Sequence, residues 1–143
     1  METGVGALRS VSLFSQFTDE EVAHLFALSR VRAYRPGEFI VKEGERGTTF
    51  YYVVSGQAEV LKGKDGEHPT VLATLNPGEY FGEMALLDGS IRSASVVART
   101  EIECLLVPEW EFMATLRNHA EMAIKVLRVL SQRLRLSNQA LTE

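Results

Sequence analysis

Between Val31 and about Val107 the chain is a succession of short apolar runs, each closed by a glycine or a proline-glycine pair. The closures fall at RPGE, KEGERG, SGQ, KDGEHP, NPGE and LDGS, and between them lie TTFYYVV, AEVLK, TVLATL, SASVVA and IECLLV. Runs this short, rich in Val, Ile, Tyr, Phe and Thr, suit strands. At Pro36-Gly37 and Pro77-Gly78 the proline presets one backbone dihedral and the glycine accepts the positive one. Roughly eight strands joined by tight turns predict a mainly β chain, an antiparallel jelly roll of the double-stranded β-helix kind, which hides its strand edges.

Helices are expected at both ends. In LFSQFTDEEVAHLFALSRV, Thr18 or Asp19 stands before acidic residues and the apolar pattern Val22, Leu25, Phe26, Leu28, which reads as an N-capped amphipathic helix. After Val107, PEWEFMATLR offers Pro108 as a first helical residue with acid in the first turn. NHAEM interrupts, and a last helix is expected from about Glu121 to Ala140. One of its stripes holds Ala123, Leu127, Leu130 and Leu134, continuing through Ser137 to Leu141; beside it run Met122, Val126, Val129 and Leu136, with Arg133 filling the gap. Two stripes call for two partners, one the strands and the other a second copy, so a homodimer through this helix is expected. The alternative, one wide face buried within a single molecule, stays open. With 143 residues the expectation is a single domain: a helical part at 8–30, a β-roll at 31–107 and C-terminal helices at 108–143.

Composition removes several function classes. Cys104 is the only cysteine, which excludes an internal disulfide framework and a Cys-rich zinc or iron-sulfur site; within IECLLV it reads as a buried structural thiol. No apolar run approaches the ~20 residues of a spanning helix, and nothing resembles a signal peptide, so an intracellular, cytoplasmic protein without membrane contact is expected. A net charge of −4 argues against general attraction to nucleic acid. The basic residues from Arg117 onward read as a solvated helix face. His24, His68 and His119 fall on a helix, a turn and an interhelical break, and make no metal cluster by sequence.

The chemistry-bearing stretch is FGEMALLDGSIRSASVVA, Phe81 to Ala98. It passes from a strand end at Gly82 through the short helix former EMALL, turns at Asp88-Gly89, and re-enters a strand with Arg92 and Ser93 at its start. A helix start exposes unpaired amides, so those around Met84, Ala85 and Leu86 could donate to a phosphate that Gly82 lets approach closely. Arg92 adds a planar donor fork suited to paired phosphate oxygens, and Ser93 one more hydrogen bond. Glu83, an acceptor, is misplaced beside phosphate alone but suits a ribose hydroxyl. From the residues alone two readings stand: an anionic sugar-phosphate ligand, or Glu83 and Arg92 paired with each other across a turn.

This stretch resembles the phosphate-binding cassette of the cyclic-nucleotide-binding domain family, whose pattern is roughly F-G-E-x-A-L, a short turn, then R-[SAT]-A-[ST]-V. FGEMALL, DGSI and RSASV supply every element, and the likeness extends upstream through YRPGEFIVKEGERGTTFYYVVSGQAEVL. The resemblance implies that Glu83 binds the ribose 2′-hydroxyl, that Arg92 pairs with the cyclic phosphate and that Ser93 also touches it. Gly82, Met84, Ala85 and Leu86 would supply backbone contacts, and Leu72 and Val60 would lie where the family packs the base. Ser93, where many cGMP-selective relatives carry Thr, leans toward cAMP over cGMP as the regulatory ligand, with no metal. LSQRLRLSNQAL further resembles the central dimer helix of the catabolite activator and nitrate/fumarate regulator (Crp/Fnr) superfamily, with Ser137 and Asn138 where a Thr-Ser or Thr-Asn pair meets adenine and Arg133 one turn earlier. The resemblance implies the ligand-sensing part of a bacterial transcription regulator, non-enzymatic, with DNA contacted only through a helix-turn-helix domain absent from these residues. The competing readings are a dimerisation module that has lost its ligand or carries haem, and a cupin-like enzyme.

Overall fold

A computed structural model describes residues 5–63 and 68–142, with side chains from 6 to 139 within that range. The first four residues of the expected KDGEHP turn, 64–67, lie outside the described residues, as do the side chain of Leu141 and residue 143. The described residues begin with α1 (Val5–Arg9), a 3-10 turn (Ser12–Phe14) and α2 (Asp19–Leu28). Eight strands follow among the described residues: β1 (Arg30–Tyr34), β2 (Phe39–Val41), β3 (Thr49–Ser55), β4 (Ala58–Lys62), β5 (Thr70–Leu75), β6 (Tyr80–Phe81), β7 (Ser95–Ala98) and β8 (Ile102–Pro108). The short α3 (Ala85–Asp88) sits between β6 and β7, and α4 (Glu109–Asn118) and α5 (Ala120–Thr142) end the fold. The strands form two four-stranded sheets, ordered β1-β8-β3-β6 and β2-β7-β4-β5, with every described pairing antiparallel, as expected of the jelly roll.

Period-two alternation lets β3 and β8 feed two separate cores. Ile102 and Cys104 of β8, with Tyr51 and Val53 of β3, face the second sheet and meet Ile40, Ala58, Val96 and Ala98. Leu105, Val107 and Phe50 point the other way, into a core shared with the helices. There Phe14 lies 5.8 Å from both Phe50 and Phe112, centroid to centroid, joining the N-terminal turn, the sheet and α4. Full burial of each such ring stabilises the fold by about 1.5–3 kcal/mol. Cys104 is buried as expected, and burial pushes its thiol up to about 12, where it stays protonated and unreactive.

Thr18 is the cap of α2: its hydroxyl accepts from the Glu21 amide at 3.1 Å, while the Glu21 carboxylate accepts from the Thr18 amide at 2.9 Å. Pro108 differs from its expected place. It ends β8 in an extended conformation and stands just before α4, because its amide-less nitrogen closes the strand as well as it would open a helix.

On α5 the inner stripe is Met122, Val126 and Val129, each at most 4% exposed, whereas Leu127 and Leu134 are 63% and 64% exposed. A single wide buried face is therefore not what this chain forms. Leu130 is only partly buried, and Leu136, grouped by spacing with Met122, Val126 and Val129, is 66% exposed because burial of α5 ends near Leu130. No described helix is long and apolar enough to cross a membrane.

Candidate functional site

The cassette folds as a strand end, one helical turn and a return strand around a cavity of about 410 Å3. Gly82 follows β6 with φ of +82°, a conformation side chains rarely adopt. A Cβ there would also meet an Arg92 guanidinium nitrogen at 2.5 Å and the Thr49 carbonyl at 2.9 Å, so the arginine head lies directly over this glycine. Gly89 closes α3 in the left-handed conformation, its amide donating to the Ala85 carbonyl at 2.9 Å. That turn sends the chain back so that Ser90, Arg92, Ser93 and Ala94 form the wall facing Gly82, Glu83, Met84 and Ala85. Val41, Val60 and Val96 make its apolar side.

Arg92 is held before any ligand arrives. One guanidinium nitrogen donates to the Thr49 carbonyl at 2.6 Å, and the head lies 5.8 Å from the centroid of Tyr51, itself stacked on Phe81 at 4.8 Å. Burial lowers its pKa, an effect opposed by Tyr51, yet an arginine starting so high keeps its charge. Its main chain is clamped to the upstream KEGERG loop: the Arg92 amide donates to the Glu45 carbonyl at 2.7 Å, and the Gly44 amide to the Arg92 carbonyl at 2.9 Å.

Glu83 does not pair with Arg92. Its Oε1 accepts from Arg133 of α5 at 2.9 Å, and the same guanidinium donates to the Ser12 hydroxyl at 2.8 Å. Its Oε2 is buried and has no hydrogen-bond partner. A buried carboxylate oxygen left without a donor costs free energy that a bound hydroxyl would recover.

The remaining expected residues divide. Leu86 is fully buried in the helical core, and its amide already donates to the Glu83 carbonyl at 3.3 Å, so the candidate amide donors narrow to Met84 and Ala85. Val60 lines the cavity, but Leu72 is 56% exposed and lies outside the lining, on the edge strand β5 one step beyond the β4 that carries Val60. Ser137 and Asn138 are exposed on α5 and do not reach the cavity within this one chain, although Ser137 shares the face of Arg133 one turn on. All three histidines are exposed, as expected of surface residues, but His24 and His119 are not apart: their rings meet edge to face at 4.7 Å between α2 and the α4–α5 junction. Among the described residues no three His, Cys, Asp or Glu side chains converge as a metal site. Sequence reasoning missed Thr49 and Tyr51 as supports of Arg92; both lie in TTFYYVV, which reads simply as a strand.

The family model described as "Cyclic nucleotide-binding domain" matches residues 31–119, the β-roll with its cassette and α4. The chain belongs to that family. As a cyclic nucleotide-binding domain it is similar to the crystal structure of the N-terminal domain of a transcriptional regulator from Streptomyces coelicolor A3(2), with TM-score 0.86 and 31% identity, covering 94% of this chain and 96% of that one. It is 34% identical over 128 residues to the cyclic AMP receptor protein of Thermus thermophilus, covering 90% of this chain and 59% of the relative. It is 33% identical over 117 residues to human cGMP-dependent protein kinase 2, covering 80% of this chain but 15% of the kinase. The cyclic nucleotide-binding domain thus spans only part of these two curated relatives. The family is one of regulatory ligand-binding domains related both to the Crp-type regulators and to cyclic-nucleotide-dependent kinases.

Proposed function

We infer that this domain senses cAMP in preference to cGMP, catalyses nothing, and serves as the ligand-sensing part of a cytoplasmic, Crp-type transcription regulator that dimerises through α5. The observation that carries the ligand reading is the unpartnered, buried Oε2 of Glu83, a residue that lines the cavity together with Arg92. An oxygen that needs a donor and a guanidinium that needs an anion fit the ribose 2′-hydroxyl and the cyclic phosphate of one small molecule. Arg92, Ser93 and the Met84 and Ala85 amides would take the phosphate, and Glu83 the ribose. The Val60 side of the cavity would take the base. The regulator role is supported by the similarity to the Streptomyces regulator domain across nearly the whole of both chains. DNA contact is not assigned to these residues.

Ser93 at the position after Arg92 supports cAMP; the match to a protein named a cGMP-dependent kinase supports cGMP as the second reading. Calorimetric titration of the chain with both nucleotides separates them, cAMP binding more tightly being the expected result. Changing Ser137 and Asn138 together to Ala is expected to shift the cAMP-to-cGMP affinity ratio by about ten-fold, since polar groups at a base reject the analogue that leaves them unpaired. An equal loss for both nucleotides would contradict a base contact by this pair.

The α5 face bearing Leu127 and Leu134, flanked by Ile124, supports a two-fold helix pairing with a second copy. Leu127→Glu combined with Leu134→Glu is expected to give a folded monomer in sedimentation equilibrium. A monomeric parent chain at all practical concentrations would refute the dimer.

A further inference from the structure

Outside the cavity, a lysine grips the same peptide that lines it. Lys62, the last residue of β4, donates from Nζ to the Ser93 carbonyl at 2.6 Å. Lys62 does not line the cavity, whereas Ser93 and Ala94 do. Its ammonium also lies 3.8 Å from Glu43 Oε2, and Glu43 is built into the same corner: its Oε1 accepts from the Gly63 amide, and its own amide donates to the Ser95 hydroxyl, both at 2.9 Å. Ser95 is fully buried. Three separate pieces of chain, the end of β4, the KEGERG loop and the return strand of the cassette, are thereby pinned at one point. The cassette pattern does not contain Lys62, and it stands 31 residues from Ser93.

No described peptide bond is cis. In a trans peptide the carbonyl and the following N–H point in opposite directions. Fixing the Ser93 carbonyl on Lys62 therefore also fixes the direction of the Ala94 N–H, in a peptide whose two residues line the cavity. We propose that Lys62 is a positioning residue for anion binding. It holds the Ser93–Ala94 peptide so that the Ala94 amide and the Ser93 side chain present donors to a phosphate lying on Arg92, without touching the ligand itself. The inference rests on the cyclic-nucleotide reading given above and adds a residue to that site.

The test is titration of the full chain with cAMP and cGMP for the parent, Lys62→Met and Lys62→Arg. Lys62→Met is expected to lower affinity about five- to ten-fold, the scale of a hydrogen bond from a charged donor that is half exposed, with the folded state retained in a thermal scan. Lys62→Arg keeps a charged donor and is expected to recover most of the loss. The Lys62→Met deficit should persist at about 0.5 M salt, because a short hydrogen bond is screened far less than a charge attracting the ligand from a distance. Parent-like binding by Lys62→Met, failure of Lys62→Arg to recover affinity, or a deficit that vanishes at high salt would each overturn the positioning role. A parent chain that binds neither nucleotide would overturn the cyclic-nucleotide reading beneath it, a result distinct from the other three.

Discussion

Arg92→Ala is expected to reduce cyclic-nucleotide affinity by between roughly thirty-fold and a few thousand-fold, enough to abolish binding at practical concentrations. The guanidinium is already half-withdrawn from water over Gly82, held by the Thr49 carbonyl and the Tyr51 ring. A cyclic phosphate placed against it loses its own hydration, so removing the arginine leaves an anion short of both charge and donors. Truncating one member of such a pair costs about 2–5 kcal/mol, against about 0–1 kcal/mol for a surface pair, and the two outcomes are separable in a single titration. Arg92→Lys should recover only part of the affinity, since a point charge lacks the planar fork for two oxygens and cannot hold Thr49 in the same geometry. The thermal midpoint of each variant should accompany the titration, because the Thr49 hydrogen bond also ties the cassette to β3. A folded Arg92→Ala protein that binds cAMP as the parent does would refute the anchor.

Glu83→Ala is expected to weaken cAMP binding by about ten-fold or more, on the scale of a hydrogen bond to a charged group, while leaving 2′-deoxy-cAMP nearly unaffected. The difference arises because the carboxylate serves two neighbours with two oxygens. Oε1 is engaged with Arg133, and Oε2 is buried without a donor. A ribose 2′-hydroxyl supplies that donor; a deoxyribose supplies nothing, so the parent itself should bind the deoxy ligand more weakly, and the mutation should add little further. Loss of equal size for both ligands would assign Glu83 to holding Arg133 and α5 in place instead of to the sugar. Because Arg133 also donates to Ser12, it keeps a partner in the variant, which favours retention of the fold.

Contiguous features were legible in the sequence because local chemistry decides them. Glycine and proline set the turns, so the runs TTFYYVV, AEVLK and IECLLV map onto β3, β4 and β8 almost residue for residue. Thr18 and Glu21 lie three residues apart and form their reciprocal cap wherever the helix is placed. The cassette was legible for the same reason: Gly82, Glu83, Arg92 and Ser93 occupy one short stretch whose turn at Gly89 brings its two ends together. Pro108 was ambiguous because its chemistry suits a strand end and a helix start equally.

What only the tertiary structure decided was who meets whom across long separations. Whether Glu83 pairs with Arg92, nine residues away in sequence, or with Arg133, fifty away, depends on where α5 crosses the cassette, and packing of Met122, Val126 and Val129 sets that crossing. The support of Arg92 by Thr49 and Tyr51, the grip of Lys62 on Ser93 and the meeting of His24 with His119 are likewise products of sheet register and helix docking. Periodicity could show that α5 carries two apolar stripes; only burial showed that the Met122 stripe faces inward and that Leu127 and Leu134 are left outside. The physical reason is common to all of these. Dihedral preferences and caps act within a few residues and are written in the order of the chain, whereas long-range contacts are selected by the packing of whole elements, to which many residues contribute a little and no motif contributes alone.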